Sequence, residues 1–227
     1  MLRFQQIHSM DTIVGYMKSK YLVQIDQHKN DPSTSLSKFL MSGIPVSRVL
    51  DMPPSNSSTK TINELNYIIN RMAEATIEER EFAQRMDDLD DHYDMWSDET
   101  ESLTGKYYGR DWFHELTNKT DGFLNYLKMH FNRARPFQIA PEYGKKIVIR
   151  IKDPSTPAYP SGHSFDAWMF ATVLSERHPE HTDKFCEIAD RIGDSRVVAG
   201  VHYPSDLEAG KRAAIYAVRN KLVETIL

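Results

Sequence analysis

An all-α fold is the class this sequence predicts, and three observations predict it. Glycine and proline are sparse, at 10 and 11 of 227 residues. Apolar residues recur mostly three or four positions apart, the spacing of one helix face. Strand-like alternation is confined to Lys145–Lys152, where Ile147, Ile149 and Ile151 alternate with Val148, Arg150 and Lys152, a length that suits a loop excursion or a hairpin arm. The chain is long enough for a sizeable core, and no composition break marks a second domain. Residues 1–227 therefore read as one domain, with an N-terminal helix and loops over 1–60 and a helical core over 61–227.

In chain order, an amphipathic helix is expected before Asn30, with Ile13, Val14, Met17, Tyr21 and Leu22 on one side. Ser, Thr and Pro dominate residues 30–60, which read as loops around a short apolar piece from Leu36 to Leu50. Thr61 and Glu64 have capping-box spacing. The helix they would open puts Ile62, Leu65, Ile69 and Met72 on one stripe and can run to Met86. The acids Asp87, Asp88, Asp90 and Asp91 follow; clustered carboxylates suit hard cations, but a solvated loop or helix end is the simpler reading. Phe123, Leu124, Leu127 and Phe131 predict a helix that carries Lys128 on its flank and stops near Arg135-Pro136. Ser161-Gly162-His163 should start the next, burying Phe165, Trp168, Met169 and Thr172 and ending before Pro179. Thr182 can cap another over Phe185, Ile188 and Ile192. Pro204 suits the first turn of a last helix ending near Leu227.

Composition narrows the function. A net charge of −4 argues against a general nucleic-acid binder. No uncharged apolar run reaches 18 residues, so no membrane span is expected. Arg3, Gln5, Gln6, Asp11, Lys18 and Lys20 interrupt the N-terminal stretch, which lacks the apolar run of a secretory signal. The single cysteine, Cys186, fits a reducing compartment. A cytoplasmic location is the expectation.

Three polar clusters carry the chemistry. They are Lys128 with Arg135-Pro136; Pro160-Ser161-Gly162-His163; and Ser195-Arg196 followed by His202 and Asp206. Each alone has an ordinary structural explanation: a solvated helix face, a turn before a helix, a surface polar group. Together they supply what phosphoryl transfer needs, which is mainly positioning and electrostatic stabilisation of an anionic group in transit. Lys128, Arg135 and Arg196 can surround its oxygens, the guanidinium groups in forked pairs. Ser161 and the Gly162 amide lie at an expected helix start, which favours an anion, and a glycine there lets the backbone approach closely. No metal or other cofactor is needed for that binding. His202 stands four residues before Asp206, so the carboxylate can hold Nδ1–H and leave Nε2 free toward phosphorus. His163, beside the anion cradle, is the natural acid for the leaving oxygen and then the base for water. The path runs through a phosphohistidine.

In order and spacing, Lys128-x6-Arg135-Pro136, Pro160-Ser161-Gly162-His163 and Ser195-Arg196-x5-His202-x3-Asp206 resemble the three-part signature of the type 2 phosphatidic acid phosphatase superfamily, over about residues 120–215. The resemblance implies a helical bundle of the acid phosphatase and vanadium haloperoxidase type. It also implies that His202 is the nucleophile, Asp206 its orienting partner, His163 the general acid, and Lys128, Arg135, Ser161, Gly162 and Arg196 the phosphate ligands. The stretch Gly193–His202 and the overall size look most similar to soluble bacterial class A acid phosphatases. Those enzymes are often dimeric, so a homodimer is one expected state. They are also typically exported and often carry disulfides, and this chain shows neither a signal nor a cysteine pair.

The expected activity is metal-independent hydrolysis of small soluble phosphate esters, with nucleotides among the candidates. Lys145, Lys146, Arg150 and Lys152 could overhang the site and attract a multiply charged substrate, or form a solvated basic loop. Tyr107, Tyr108, Trp112 and Trp168 could stack a base, although aromatics at helical spacing more often pack in a core. Two alternatives share the residues: a vanadium-dependent haloperoxidase, a type usually much longer, and an inactive phosphate-binding protein.

Overall fold

The computed structural model describes residues 13–152 and 154–223. Among these residues the regular structure is helical, with no strand beyond an isolated bridge between Val14 and Arg133. Ten α-helices follow one another: α1 (Ser19–Lys29), α2 (Ser35–Met41), α3 (Thr59–Glu74), α4 (Ile77–Arg85), α5 (Leu89–Thr104), α6 (Arg110–Phe131), α7 (Pro136–Ile139), α8 (Gly162–Arg177), α9 (Thr182–Val198) and α10 (Pro204–Arg219). None of the described helices is long and apolar enough to cross a membrane.

The N-terminal expectation needs correction. Ile13, Val14 and Met17 precede α1 and lie in extended chain, and Leu22 is exposed, so Ile25 is the residue α1 buries. The segment is extended because it is tied to the chain after α6. The Gly15 amide donates to Asn132 O at 3.0 Å, and a Cβ on Gly15 would meet Arg133 O at 2.6 Å. The apolar piece at 36–50 becomes α2 and a 3-10 turn, Val46–Arg48, with Leu36, Phe39, Val49 and Leu50 buried.

Helix α3 opens one turn earlier than expected, because the Ser58 side chain accepts from Thr61 N. Glu64 is consequently not a capping residue; it is buried and paired with Arg133. Nor does α3 run to Met86. Thr76 and Glu79 form a capping box that starts α4 as a separate helix. The acidic stretch is a helix start: Asp88 accepts from the amides of Asp90 and Asp91, and acids in the first turn suit the positive end of the helix. Helix α6 ends at Phe131, short of Arg135, because Asn132 takes a left-handed conformation at φ 45°. Lys128 does not ride on a solvated flank but is 3% exposed.

Lys145–Lys152 is irregular chain, not a strand. Its isoleucines still point inward: Ile147 is buried, and Ile149 and Ile151 pack on Ala75, Ala83, Val198, Ala199 and Val201. Thr182 is the first residue of α9 rather than its cap, because the 3-10 turn Pro179–His181 leads straight into the helix. Thr172 and Ile188 are half-buried. The last helix ends at Arg219, and residues 224–227, where it was expected to finish, lie outside the described residues.

Helix α8 is the central element, buried on most sides, and packs chiefly against α9 and α10. The approach to α10 depends on Gly210, where a Cβ would meet Ser161 O at 2.6 Å and Phe165 N at 3.0 Å. Both obstacles are backbone, so they cannot swing aside. Gly210→Ala is therefore expected to cost roughly 1–3 kcal/mol in urea unfolding. A loss under about 0.5 kcal/mol would show that this approach is not tight.

Candidate active site

Residues from α6, α8, α9 and the connections beside them converge on one cavity of about 400 Å³. Lys128 comes from the last turn of α6, Gly162 and His163 from the start of α8, and Arg196 from the last turn of α9. Arg135 and His202 stand just before α7 and α10 and complete the set. Ser161 and Asp206 lie behind this wall, and both are fully buried. The Ser161 hydroxyl caps α8 by accepting from Ser164 N, while its amide donates to Asp206 O at 2.9 Å. A Cβ on Gly162 would meet only Leu124 and Lys128, at ordinary contact distances of 3.5 and 3.8 Å, so packing within the chain does not demand glycine there.

The centre of the site is His202. Its Nδ1 lies 3.2 Å from Asp206 Oδ2, and its Nε2 lies 2.8 Å from an Arg135 NH group. A guanidinium can only donate. Nε2 must therefore accept, and the ring hydrogen sits on Nδ1 and points at the carboxylate. Burial, then the charges of Arg135, Lys128 and Arg196, hold the imidazole well below its ordinary pKa, so the ring is neutral.

Backbone carbonyls hold two of the cations in place. Lys128 donates to Pro157 O at 3.0 Å and Pro160 O at 2.6 Å. Arg135 donates to Thr156 O and Val201 O as well as to His202. Burial, reinforced by Arg135, depresses the Lys128 ammonium well below its usual range. Arg196 is held differently, by Asp87 at 3.2 Å and by Ala83 O, and burial pushes it down to about 10. His163 lies next to this group with its Nε2 sealed from solvent and without a hydrogen-bond partner. Burial, then Arg196, keeps it neutral.

Several residues of the site escaped the sequence reading. Arg133 donates to Asp206 Oδ1 at 2.6 Å and to Glu64 at 3.2 Å, and its guanidinium covers the Tyr203 ring at 3.9 Å. Glu64 also accepts from the amide and hydroxyl of Ser205. The Asp206 carboxylate is therefore itself held in place, by a chain that reaches α3. His92 of α5 stacks on His163 with ring centroids 6.0 Å apart, accepts from Trp96 Nε1, and is driven down to about 3 by burial. The only sequence signal for these residues was the arginine two positions before Arg135. Of the basic residues at 145–152, Lys152 lines the cavity, joined by Lys18 and Lys20; Lys145, Lys146 and Arg150 are not among its lining residues. Tyr108, Trp112 and Trp168 pack on the core, and Tyr107 is exposed.

The folded pKa of His202 lies below the 6.5 of an unperturbed ring, so the ring is unprotonated at that pH and above. Nitrogen-15 NMR of the imidazoles at pH 6.5 should find His202 neutral with its hydrogen on Nδ1. A doubly protonated ring, or hydrogen on Nε2, would contradict this geometry.

Part of the chain that builds this site is similar to known proteins. Residues 117–219 match the model of the PAP2 superfamily. A non-specific acid phosphatase of Providencia stuartii is 36% identical over 91 residues, 40% of this chain and 37% of that protein. A lipid A 1-phosphatase of Rhizobium johnstonii is 33% identical over 94 residues, 38% of this chain and 35% of that protein. The match thus spans little more than a third of these curated relatives. Among solved structures, a transmembrane PAP2 type phosphatidylglycerolphosphate phosphatase from Bacillus subtilis has a TM-score of 0.49 at 16% identity, covering 83% of this chain and 95% of that one. The segment that matches the PAP2 superfamily model runs from α6 into α10 and contains every motif residue from Lys128 to Asp206.

Proposed function

We propose that this protein is a phosphohydrolase for small phosphate monoesters and that the phosphoryl group passes through His202. One observation carries the reading: a neutral imidazole, its hydrogen committed to Asp206 and its lone pair met by Arg135, lines a cavity walled by Lys128, Arg135 and Arg196. Lys18, Lys20 and Lys152 at the same cavity favour entry of an anion. The acid phosphatase and lipid A phosphatase relatives support the reaction class.

In this mechanism the incoming phosphate draws Arg135 off Nε2 and onto its own oxygens, with Lys128, Arg196 and the first-turn amides of α8 completing the cradle. Ser161 contributes by fixing that first turn. Nε2 then attacks phosphorus, and the bond to the ester oxygen breaks. Asp206 stabilises the positive charge that develops on the ring. His163 protonates the departing alkoxide. It is neutral in the unliganded cavity, and the negative charge of a bound phosphate raises its proton affinity, so the proton is taken up with the substrate. In the second step neutral His163 takes a proton from water, the oxygen attacks phosphorus, and the bond to Nε2 breaks to release phosphate and restore His202.

The test is hydrolysis of an aryl phosphate by purified protein in excess chelator. Turnover is expected to persist there and to vanish in His202→Ala. Asp206→Asn should fold and lose roughly two to four orders of magnitude in kcat, by analogy with other orienting carboxylates. Activity that a chelator removes and a divalent cation restores would overturn the mechanism. Peroxide-driven bromide oxidation with added vanadate, and no ester turnover, would favour the haloperoxidase reading.

A further inference from the structure

The cavity contains two carboxyl groups that the proposed phosphoryl transfer does not use. Asp166 stands on α8 one turn beyond His163, and Asp121 stands on α6 two turns before Lys128. Each helix therefore presents a phosphate-side residue and, displaced along its axis, an acid. Asp166 is 5% exposed, and its Oδ1 is buried without a hydrogen-bond partner. Asp121 accepts from Gln24 Nε2 at 3.2 Å. Among the described residues neither acid is in an ion pair: Lys128, whose charge acts on Asp166, gives its hydrogens to Pro157 and Pro160. Burial, then the neighbouring Asp121, lifts Asp166 well above the usual carboxylate range, and burial lifts Asp121 to about 6. A buried carboxyl oxygen with no partner is costly, and two that repel each other are costlier. Lys20 and His114 act on Asp121 without forming an ion pair with it, so the pair still has room for a directly bound, positively charged donor.

We propose that Asp121 and Asp166 form a leaving-group subsite for a primary ammonium, so that the preferred substrates are phosphate monoesters of short amino alcohols. The cavity then matches a ligand with opposite charges at its two ends, the phosphate among Lys128, Arg135 and Arg196 and the ammonium between the carboxyls. One helical turn is about 5 Å of rise, so a two-carbon alcohol can reach from the phosphate beside His163 toward Asp166. An uncharged alkyl group there would leave Oδ1 of Asp166 without a partner.

This inference rests on the phosphatase reading, and its test separates the two. O-phosphoethanolamine and n-propyl phosphate are nearly isosteric and differ in the ammonium. The full chain in chelator should show a kcat/KM at least about tenfold higher for phosphoethanolamine, the size of one charge-assisted hydrogen bond. Asp166→Asn should bring that ratio to within about twofold, with Asp121→Asn as the second variant if the first does not fold. Equal kcat/KM for the two esters in the unaltered protein, alongside good aryl phosphate turnover, would overturn the subsite alone. A ratio that survives both substitutions would do the same. Absence of turnover on all three esters would overturn the phosphatase reading and the subsite with it.

Discussion

The hydrogen bond from His202 Nδ1 to Asp206 is the interaction on which the rest of this site depends. It fixes which nitrogen carries the hydrogen and which keeps the lone pair that Arg135 meets. Asp206 can serve because every other demand on it is met locally. Its Oδ1 takes Arg133, its Oδ2 also takes the Tyr203 amide, and its carbonyl takes the Ser161 amide at the start of α8. One fully buried residue thus joins α10 to α8 and to the chain after α6. Through Arg133 and Glu64 the link extends to α3, outside the segment shared with the PAP2 superfamily. Loosening any of these would free the ring to rotate, and the Nε2 lone pair would lose its direction.

The electrostatics follow the same logic. Carbonyl dipoles hold Lys128 and Arg135, so their positive charge is not cancelled before an anion arrives. Arg196 is the exception, steadied by Asp87. Burial first, and then the neighbouring positive charges, disfavour the charged forms of Lys128, His163 and His202, which are all shifted downward. A bound dianion relieves that condition for the whole group at once.

The sequence motifs locate the buried polar cluster because their structure is local: Ser161 caps a helix, Pro204 begins one, and His202 and Asp206 are one turn apart. What stayed hidden depends on partners distant in sequence. Glu64 has the spacing of a cap and was read as one, since nothing near it reveals that Arg133 and Ser205 would claim its carboxylate. Asp87 looked like part of a solvated acidic run until α9 brought Arg196 to it. The apolar stripe at residues 13–22 suggested a helix, but tertiary pairing with Asn132 and Arg133 holds its first half extended. The alternating isoleucines at 147–151 suit a loop excursion or a hairpin arm equally well in sequence; in the structure they pack inward from irregular chain.

A crystal structure with orthovanadate bound would test the central claim most directly, because vanadate can expand to five-coordination as phosphorus does in the transition state. Vanadium should be bonded to His202 Nε2, with Nδ1 still on Asp206 and Arg135 moved from Nε2 onto the oxyanion. Vanadate seated elsewhere, or His202 turned away from it with Arg135 still on Nε2, would contradict the account.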